Sequence, residues 1–368
     1  MEKKRILIIA DSNLSNSGVP MVFMSIVRAL QSDYIFDVII FNEDDMFYKN
    51  EFLSYGGKIY VFNRKIPDGK FGKVFWLLFK LGKDIEKFCD AEISLKDYFA
   101  IHSFDEMFSS RFLKIGKDFG IKYRVVHVCA ALRAYKTKKS LKRYLFEIDR
   151  RKTLKLCTSI ACSSDSTLKL NNYKNKGLTL YRTYNQSQFP GVIKCTHDNL
   201  VLTQIATFSE RKNQLFALEV VSILKNTYPS VVLNLVGKEK EDGYEDKMNN
   251  YIHDHSLEKN VKFLGTSPNR DELSKMTSYI LHPATMEGSG NVLVESQVCG
   301  IHCFASSTLP EGYDLGNVEY LKLNASLWAD RIIKYFEIHK NERIEPVNKE
   351  KFSADNFKSI VLRTMSGD

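Results

Sequence analysis

The sequence predicts an α/β protein made of two Rossmann-like domains that face each other across a central cleft. Its 368 residues exceed the length at which a single hydrophobic core usually keeps growing. Short β-branched runs alternate with longer helical patterns in both halves, a rhythm typical of doubly wound parallel sheets. The rhythm lapses in residues 181–199, which contain Pro190 and Gly191. We therefore expect one domain over residues 1–188 and a second over residues 198–348.

The first domain is expected to open with a buried strand and an amphipathic helix. Residues 5–10 read "RILIIA", and residues 18–31 repeat apolar side chains at helical spacing. The same alternation predicts further strands at 36–41, 58–62, 98–103, 123–128 and 158–163, and further helices at 45–54, 70–89, 105–119, 138–156 and 164–171. Together they indicate a parallel sheet with right-handed crossovers.

The second domain is expected to repeat this plan. Its strands are predicted at 200–208, 231–237, 261–265, 279–283 and 302–306, and its helices at 213–226, 242–255, 271–276 and 291–299. In open α/β sheets, ligands bind beyond the carboxyl ends of the strands. Two such sheets joined by one linker therefore predict a ligand-binding cleft.

Composition excludes several classes of protein. A hydrophobic content of 44% with 26% charged residues is typical of a folded chain rather than a disordered one. No apolar run nears the about 20 residues that cross a bilayer, and the segment after Met1 does not fit a signal peptide. Seven scattered cysteines without a Cys-x-x-Cys pair indicate reduced thiols and no zinc site. We expect a cytoplasmic protein.

The positive charge is concentrated in the first half of the chain. Residues 1–200 hold 34 Lys and Arg against 21 Asp and Glu, whereas the rest is slightly acidic. Such a surface attracts an anionic membrane or substrate, and residues 70–88 combine aromatic and lysine side chains as interfacial helices do. Two alternatives stay open: the lysines are simply solvated, and this helix packs its apolar stripe on the sheet. Because no nucleic-acid-binding motif is present, we expect peripheral contact with the inner face of the membrane.

The strongest functional pattern is "MEGSGNVLVESQVCG" at residues 286–300. Glu287 falls on a glycine-rich loop, and Glu295 falls eight residues later in a helix. Eight helical residues span about 12 Å, so the two carboxylates would hold the ends of a long group rather than one small group. A diphosphate would fit between them, at the amide groups of the helix start. The loop and first turn there consist of Gly288, Ser289, Gly290 and Asn291.

This stretch resembles the E-x7-E signature of retaining glycosyltransferases of family 4. The resemblance includes its context: a strand ending in proline, a Glu-Gly loop, a helix with the second Glu, then a glycine and a strand. Gly237, which closes a strand in "LVGKEK", and Gly265 match further family glycines. The resemblance implies the GT-B fold, a nucleotide-diphospho-sugar donor and no metal or other cofactor. It also implies that segment 349–368 returns to the first domain as a helix.

The family carries an Arg and a Lys that neutralise the donor diphosphate. In "IATFSERKNQ", Lys212 matches the family Lys, whereas Thr207 occupies the position of the family Arg. Arg211 is the candidate for the missing charge. The resemblance thus assigns Glu287 and Lys212 to catalysis. It assigns Glu295 and Arg211 to donor binding, together with Gly237 and the loop residues named above.

Two elements of the first half extend the resemblance. Gly18 stands where the family has a glycine-rich loop beside the donor phosphate and the acceptor; a plain turn capped by Ser17 is the alternative. His127 ends the strand "YRVVH", where the family has a histidine that contacts the donor sugar, so it is a catalytic candidate. His102 is a second candidate at the end of the preceding strand. The alternative for both is a structural role.

The sequence therefore predicts a retaining, metal-independent hexosyltransferase of surface-polysaccharide or capsule synthesis. It would move a sugar from a nucleotide-diphospho-sugar, with UDP favoured, to a lipid-linked or polymeric glycan acceptor. Lys212 and the helix amides would stabilise the leaving diphosphate. Three alternatives stay open: a sugar-nucleotide epimerase; a non-catalytic GT-B partner subunit, which Thr207 favours; and a basic membrane- or nucleic-acid-binding module, which leaves Glu287 and Glu295 unexplained.

Overall fold

The chain divides into two compact units. The structure, a computed structural model, describes residues 3–10, 13–15, 18–63, 76, 80–104, 109–128, 141–163, 168, 176–181, 191–266, 269–287, 290–309 and 311–366. Unit 1 comprises Met1–Thr183 and Phe352–Asp368, and unit 2 comprises Tyr184–Lys351. Each unit contains one parallel sheet, so the predicted two-domain α/β class is confirmed.

Unit 1 is built on a seven-stranded parallel sheet. Its strands are β1 (Lys4–Ile9), β2 (Tyr34–Ile40), β3 (Ile59–Val61), β4 (Tyr98–Ser103), β5 (Tyr123–Val128), β6 (Ser159–Cys162) and β7 (Gly177–Thr179). In the described residues of its first segment, unit 1 has the α-helices α1 (Gly18–Leu30), α2 (Lys49–Ser54), α3 (Leu81–Glu92), α4 (Ser109–Asp118) and α5 (Leu141–Leu156). The strand order is β3-β2-β1-β4-β5-β6-β7, which places β1 inside the sheet between β2 and β4.

Unit 2 has a six-stranded parallel sheet. Its strands are β8 (Val201–Ile205), β9 (Val232–Val236), β10 (Val261–Phe263), β11 (Tyr279–His282), β12 (His302–Ser306) and β13 (Val318–Leu321). Its described helices are α6 (Gln214–Leu224), α7 (Tyr244–Asp254), α8 (Arg270–Met276), α9 (Asn291–Val298) and α10 (Ala325–His339). The strand order is β10-β9-β8-β11-β12-β13.

The final helix, α11 (Ala354–Arg363), belongs to unit 1 although it follows unit 2 in the chain. Its buried Phe357 and Val361 join the core that also contains Phe23 and Ile26 of α1. Ser353 caps its first turn by accepting a 3.1 Å hydrogen bond from the backbone N–H of Asn356. Apolar burial at helical spacing therefore holds the C-terminal segment against α1.

Several helices begin later than their sequence patterns predict. The helix expected at 45–54 starts at Lys49, and the backbone N–H of Tyr48 just before it donates to the carbonyl of Leu14 at 2.8 Å rather than to a helical partner. Most of the proposed interfacial helix lies outside the described residues, as does the loop 129–140. Within the described ranges, no helix has the length and apolarity that a bilayer crossing requires.

Candidate active site

The topology of unit 2 creates a crevice at one edge of its sheet. From β8 the chain continues outward to β9 and β10 on one side, and from β11 it continues to β12 and β13 on the other. Such a reversal of strand order leaves an opening beyond the carboxyl ends of the two central strands. Residues 206–213 follow β8, and the loop containing Glu287 follows β11. Both predicted donor-binding segments therefore start at the same edge.

Hydrogen bonds connect these two loops. The carbonyl oxygen of Arg211 accepts bonds from the N–H (3.0 Å) and the hydroxyl (3.3 Å) of Thr285. The side-chain amide of Asn213 donates to the carbonyl of Pro283 at 3.4 Å. Asn213 has a left-handed backbone with φ 59°, a conformation that asparagine tolerates better than most residues. These contacts fix the backbone on which Lys212 is carried.

Three ionisable side chains meet where these loops join. The ammonium of Lys212 pairs with Oε2 of Glu287, and Nε2 of His282 lies 3.2 Å from the same oxygen. The side chains of Lys212 and Glu287 are only 12% and 15% exposed, and that of His282 is 1% exposed. The structure thus brings two predicted catalytic residues together and adds a histidine.

The surroundings of Glu287 keep its carboxylate ionised. Burial by itself would raise the pKa of Glu287, but the hydrogen bond from His282 and the charge of Lys212 outweigh it. The pKa of Glu287 is consequently held well below its usual range. At neutral pH Glu287 is therefore an acceptor of hydrogen bonds and not an acid.

The start of α9 is shaped by a tight contact. Gly290 precedes the helix with φ 53°, and a Cβ at this position would lie 2.3 Å from the ring of the buried Tyr313. Tyr313 is held in turn by Gln297 of α9, whose amide donates to its carbonyl at 2.9 Å. Residue 290 must therefore be glycine for two reasons: a side chain would clash with Tyr313, and the backbone has a positive φ.

Two other predicted donor-binding residues of unit 2 have different environments. Glu295 is half-buried on α9 and lines a small cavity with Ser274 and Thr277. Gly237 follows β9, where a Cβ would lie 1.9 Å from the carbonyl oxygen of Ala206. Gly237 is therefore needed for the loop after β8 to pass beside β9.

The remaining predicted residues are less enclosed or lie elsewhere. The side chain of Arg211 is exposed. The bonds from Thr285 described above go to the backbone carbonyl of Arg211. Gly18 begins α1 in unit 1, and a Cβ added there would meet open space. Gly288 and Ser289 lie outside the described residues, as does Ser17.

His127 is buried in unit 1 beside His102. Nε2 of His127 lies 3.0 Å from Nδ1 of His102, and its ring stacks on Phe104 at a centroid distance of 4.0 Å. Burial lowers the pKa of His102 to about 3. Burial, with repulsion from His102, also lowers the pKa of His127 well below its ordinary value. Both rings are therefore neutral at pH 7.

His282 is the site residue that the sequence analysis missed. It ends β11 in "YILHP", and the strand pattern explained it as part of an apolar run. A polar residue that ends a buried strand and directly precedes a Glu-containing loop is the signal that could have identified it. Its distance from Glu287 in the chain is only five residues.

Comparisons with known proteins match the part of the chain that contains these residues. Residues 187–313 match the family described as Glycosyl transferases group 1. The putative glycosyltransferase EpsF of Bacillus subtilis (strain 168) is 26% identical over 354 residues, which cover 90% of this chain and 88% of EpsF. The capsular polysaccharide biosynthesis glycosyltransferase CapH of Staphylococcus aureus is 24% identical over 213 residues, which cover 55% of this chain and 57% of CapH.

The fold is shared with a solved structure. Anabaena Alr3699/HepE in complex with UDP and glucose superposes with a TM-score of 0.74 at 16% identity, covering 98% of this chain and 99% of that one. The predicted resemblance to glycosyltransferases is confirmed by the group 1 family match, which lies within unit 2, and by the similarity to EpsF and CapH, and the Anabaena structure shows that the fold is shared.

Proposed function

We propose that this group 1 glycosyltransferase transfers a sugar, with retention, from a UDP-sugar to a hydroxyl of a lipid-linked or polymeric glycan in surface-polysaccharide synthesis. The observation that carries the proposal is the meeting of Lys212, His282 and Glu287 beyond the carboxyl ends of β8 and β11. Similarity to EpsF and CapH supports a role in polysaccharide synthesis. The presence of UDP and glucose in the Anabaena structure supports the choice of donor.

In this proposal the donor replaces an internal ion pair. Its diphosphate lies at the start of α9, and the ammonium of Lys212 turns from Glu287 to the diphosphate oxygens. Glu287 then accepts hydrogen bonds from hydroxyls of the donor sugar, while Glu295 accepts them from the ribose. Hydrogen bonds to a charged group contribute about 1.5–3 kcal/mol each, so Glu295 adds substantially to donor binding and Glu287 to stabilisation of the sugar during transfer.

The chemical step needs charge stabilisation at the leaving group. The bond from the anomeric carbon to the β-phosphate oxygen breaks, a bond to the acceptor oxygen forms on the same face of the sugar, and the acceptor proton passes to the departing phosphate. Lys212 and the amide groups at Gly290 and Asn291 stabilise the developing negative charge electrostatically. Neither a metal ion nor a covalent enzyme intermediate is needed in this scheme.

Nucleotide binding and turnover test the proposal separately. A thermal-shift screen of uridine, guanosine and adenosine diphospho-sugars should select the uridine compounds. Glu295→Ala should weaken UDP binding in calorimetry, whereas Glu287→Ala should mainly lower kcat with the UDP-sugar. Glu210→Ala, which removes an exposed carboxylate from the loop after β8, serves as the control. Wild-type behaviour of both Glu287→Ala and Glu295→Ala would reject the assignment.

A non-catalytic partner subunit is the second candidate, and Thr207 is the observation that favours it. Thr207 supplies no charge where the family has Arg, and its carbonyl accepts a 3.1 Å hydrogen bond from Gln214. If calorimetry detects no binding of UDP or of any UDP-sugar, this candidate replaces the enzyme. Binding of UDP with slow turnover, improved by Thr207→Arg, would instead support a weak transferase.

A further inference from the structure

The two ring nitrogens of His282 have different surroundings. Nε2 lies 3.2 Å from Oε2 of Glu287. Nδ1 is buried and has no hydrogen-bond partner in the described part of the chain. A proton on Nδ1 would be an orphaned donor, and buried donors without a partner are rare. The proton between the two side chains therefore resides on Nε2, which donates it to the carboxylate.

Glu287 must keep its position when its ion-pair partner moves. Oε2 of Glu287 receives both the ammonium of Lys212 and the N–H of His282. The proposed function requires Lys212 to turn to the donor diphosphate. A mostly buried carboxylate that loses an ammonium needs another donor to hold it. His282 sits on a central strand of the sheet, so its ring stays in place when Lys212 leaves.

We infer that His282 is a positioning residue, which holds Glu287 in a fixed orientation through Nε2–H while Lys212 moves to the diphosphate of the donor. This inference rests on the proposed function, because it assigns a task within the same transfer reaction. His282 touches neither donor nor acceptor in this scheme. It acts only through the carboxylate of Glu287.

Three substitutions separate the contact from general packing. In His282→Gln, the amide can occupy the position of Nε2 and donate to Glu287. In His282→Asn the shorter side chain places its amide near the former Nδ1, and His282→Phe has no donor at all. We expect the Gln variant to keep kcat, whereas the Asn and Phe variants lose about 10- to 100-fold, as expected when one hydrogen bond to a charged group is removed.

The Kd for UDP distinguishes a positioning role of His282 from a purely structural one, because a damaged fold would also weaken UDP binding. UDP lacks the transferred sugar, whose hydroxyls Glu287 would bind. The Kd for UDP should therefore be unchanged in all three variants, whereas kcat should fall only in the Asn and Phe variants. His302→Asn is the matched control, because His302 is another buried histidine of the same sheet. It begins the neighbouring strand β12, and its Nδ1 contacts Asn317 at 2.7 Å, so an Asn amide keeps that contact. The control should leave both kcat and the Kd for UDP unchanged.

Two results would overturn the inference. One is equal kcat in the Gln, Asn and Phe variants. The other is a parallel loss of kcat and UDP binding in all three variants, which would assign His282 to folding alone.

A spectroscopic measurement separates this inference from the proposed function. In 15N-labelled protein, the ring of His282 should show a proton on Nε2 only, and Glu287→Gln should shift that signal. A proton on Nδ1, or a signal that Glu287→Gln leaves unmoved, would contradict the contact whether or not the enzyme turns over. Failure of wild-type protein to use any nucleotide-sugar would instead reject the proposed function, while the ring signal still reports the contact.

Discussion

Both units place histidines at the carboxyl ends of parallel strands, but they surround them differently. In unit 1, His102 and His127 face each other beside Phe104, and burial keeps both rings neutral. In unit 2, His282 faces the carboxylate of Glu287, which is also paired with Lys212. The same residue type near the ends of parallel strands therefore lies beside a second neutral histidine in one unit and beside an ion pair in the other.

Among the described glycines predicted to bind the donor, the one in unit 1 also differs from those in unit 2. A Cβ on Gly18 in unit 1 would have nothing within 4 Å, whereas one on Gly237 or Gly290 in unit 2 would overlap neighbouring atoms. Backbone in unit 2 is thus packed closely around the predicted donor site. This close packing fixes the backbone that carries the described site residues of unit 2.

The largest expected effect comes from breaking this close packing. Gly237→Ala puts a Cβ 1.9 Å from the carbonyl oxygen of Ala206, so the backbone must shift; we expect a loss of about 3–5 kcal/mol of unfolding free energy. Gly18→Ala, with open space, should change it by less than about 1 kcal/mol. The two tryptophans report the units separately, since Trp76 is buried in unit 1 and Trp328 in unit 2. Chemical unfolding of unit 2 is followed by Trp328 fluorescence in a Trp76→Phe background, and that of unit 1 by Trp76 fluorescence in a Trp328→Phe background. Equal losses in Gly237→Ala and Gly18→Ala would contradict the difference in packing around these two glycines.

Removing the ammonium of Lys212 should have the next largest effect. Lys212→Met leaves the mostly buried carboxylate of Glu287 without that partner, at an expected cost of about 3 kcal/mol. Lys247→Met is the control in the same unit. It breaks a pair with Glu210 whose side chains are 58% and 72% exposed, and such pairs contribute under about 1 kcal/mol. Unfolding followed by Trp328 fluorescence measures both, and similar losses would show that the cluster is not distinct from a surface pair.

The smallest effect concerns the neutral pair of unit 1 and depends on pH. The pKa of His102 is lowered by burial to about 3, below its ordinary value of about 6.5, so the unfolded chain takes up protons first as the pH falls. Stability is therefore complete above about pH 6.5 and declines toward pH 3, with a loss from His102 of about 2 kcal/mol at pH 5. His102→Gln should flatten this decline when unfolding is followed by Trp76 fluorescence at pH 7 and pH 5. An unchanged decline would show that His102 does not titrate in this way.

The central strands could be predicted from the sequence because they are buried on both faces. β12 has the predicted bounds, and β1 is displaced by only one residue. The edge strands β7 and β13 were missed, because their sequences, GLT and VEYL, contain no continuous apolar run, whereas the edge strands β3 and β10 were predicted. β2 starts two residues before its predicted start because Tyr34 pairs with Lys4 of β1, and such register depends on long-range contacts.

The candidate site was predictable where its residues belong to a local pattern. Glu287 stands in a strand–loop–helix pattern, and Lys212 opens the helix after another strand. Their ion pair joins positions 75 residues apart and depends on β8 lying beside β11, which no local pattern reports. The pairing of His102 with His127 likewise depends on β4 lying beside β5. Strand order, more than residue type, was the missing information.

The ion pair between Lys212 and Glu287 has a consequence for how fast a charged molecule reaches the site. Its two opposite charges cancel at long range, so an approaching anion encounters from this pair a short-range dipole instead of a full positive charge. Electrostatic steering by the pair is correspondingly weak, and added salt should slow association only slightly. Binding of the anion then depends on Lys212 exchanging Glu287 for the anion after contact. The site would therefore discriminate among anions at this exchange step and not during diffusion.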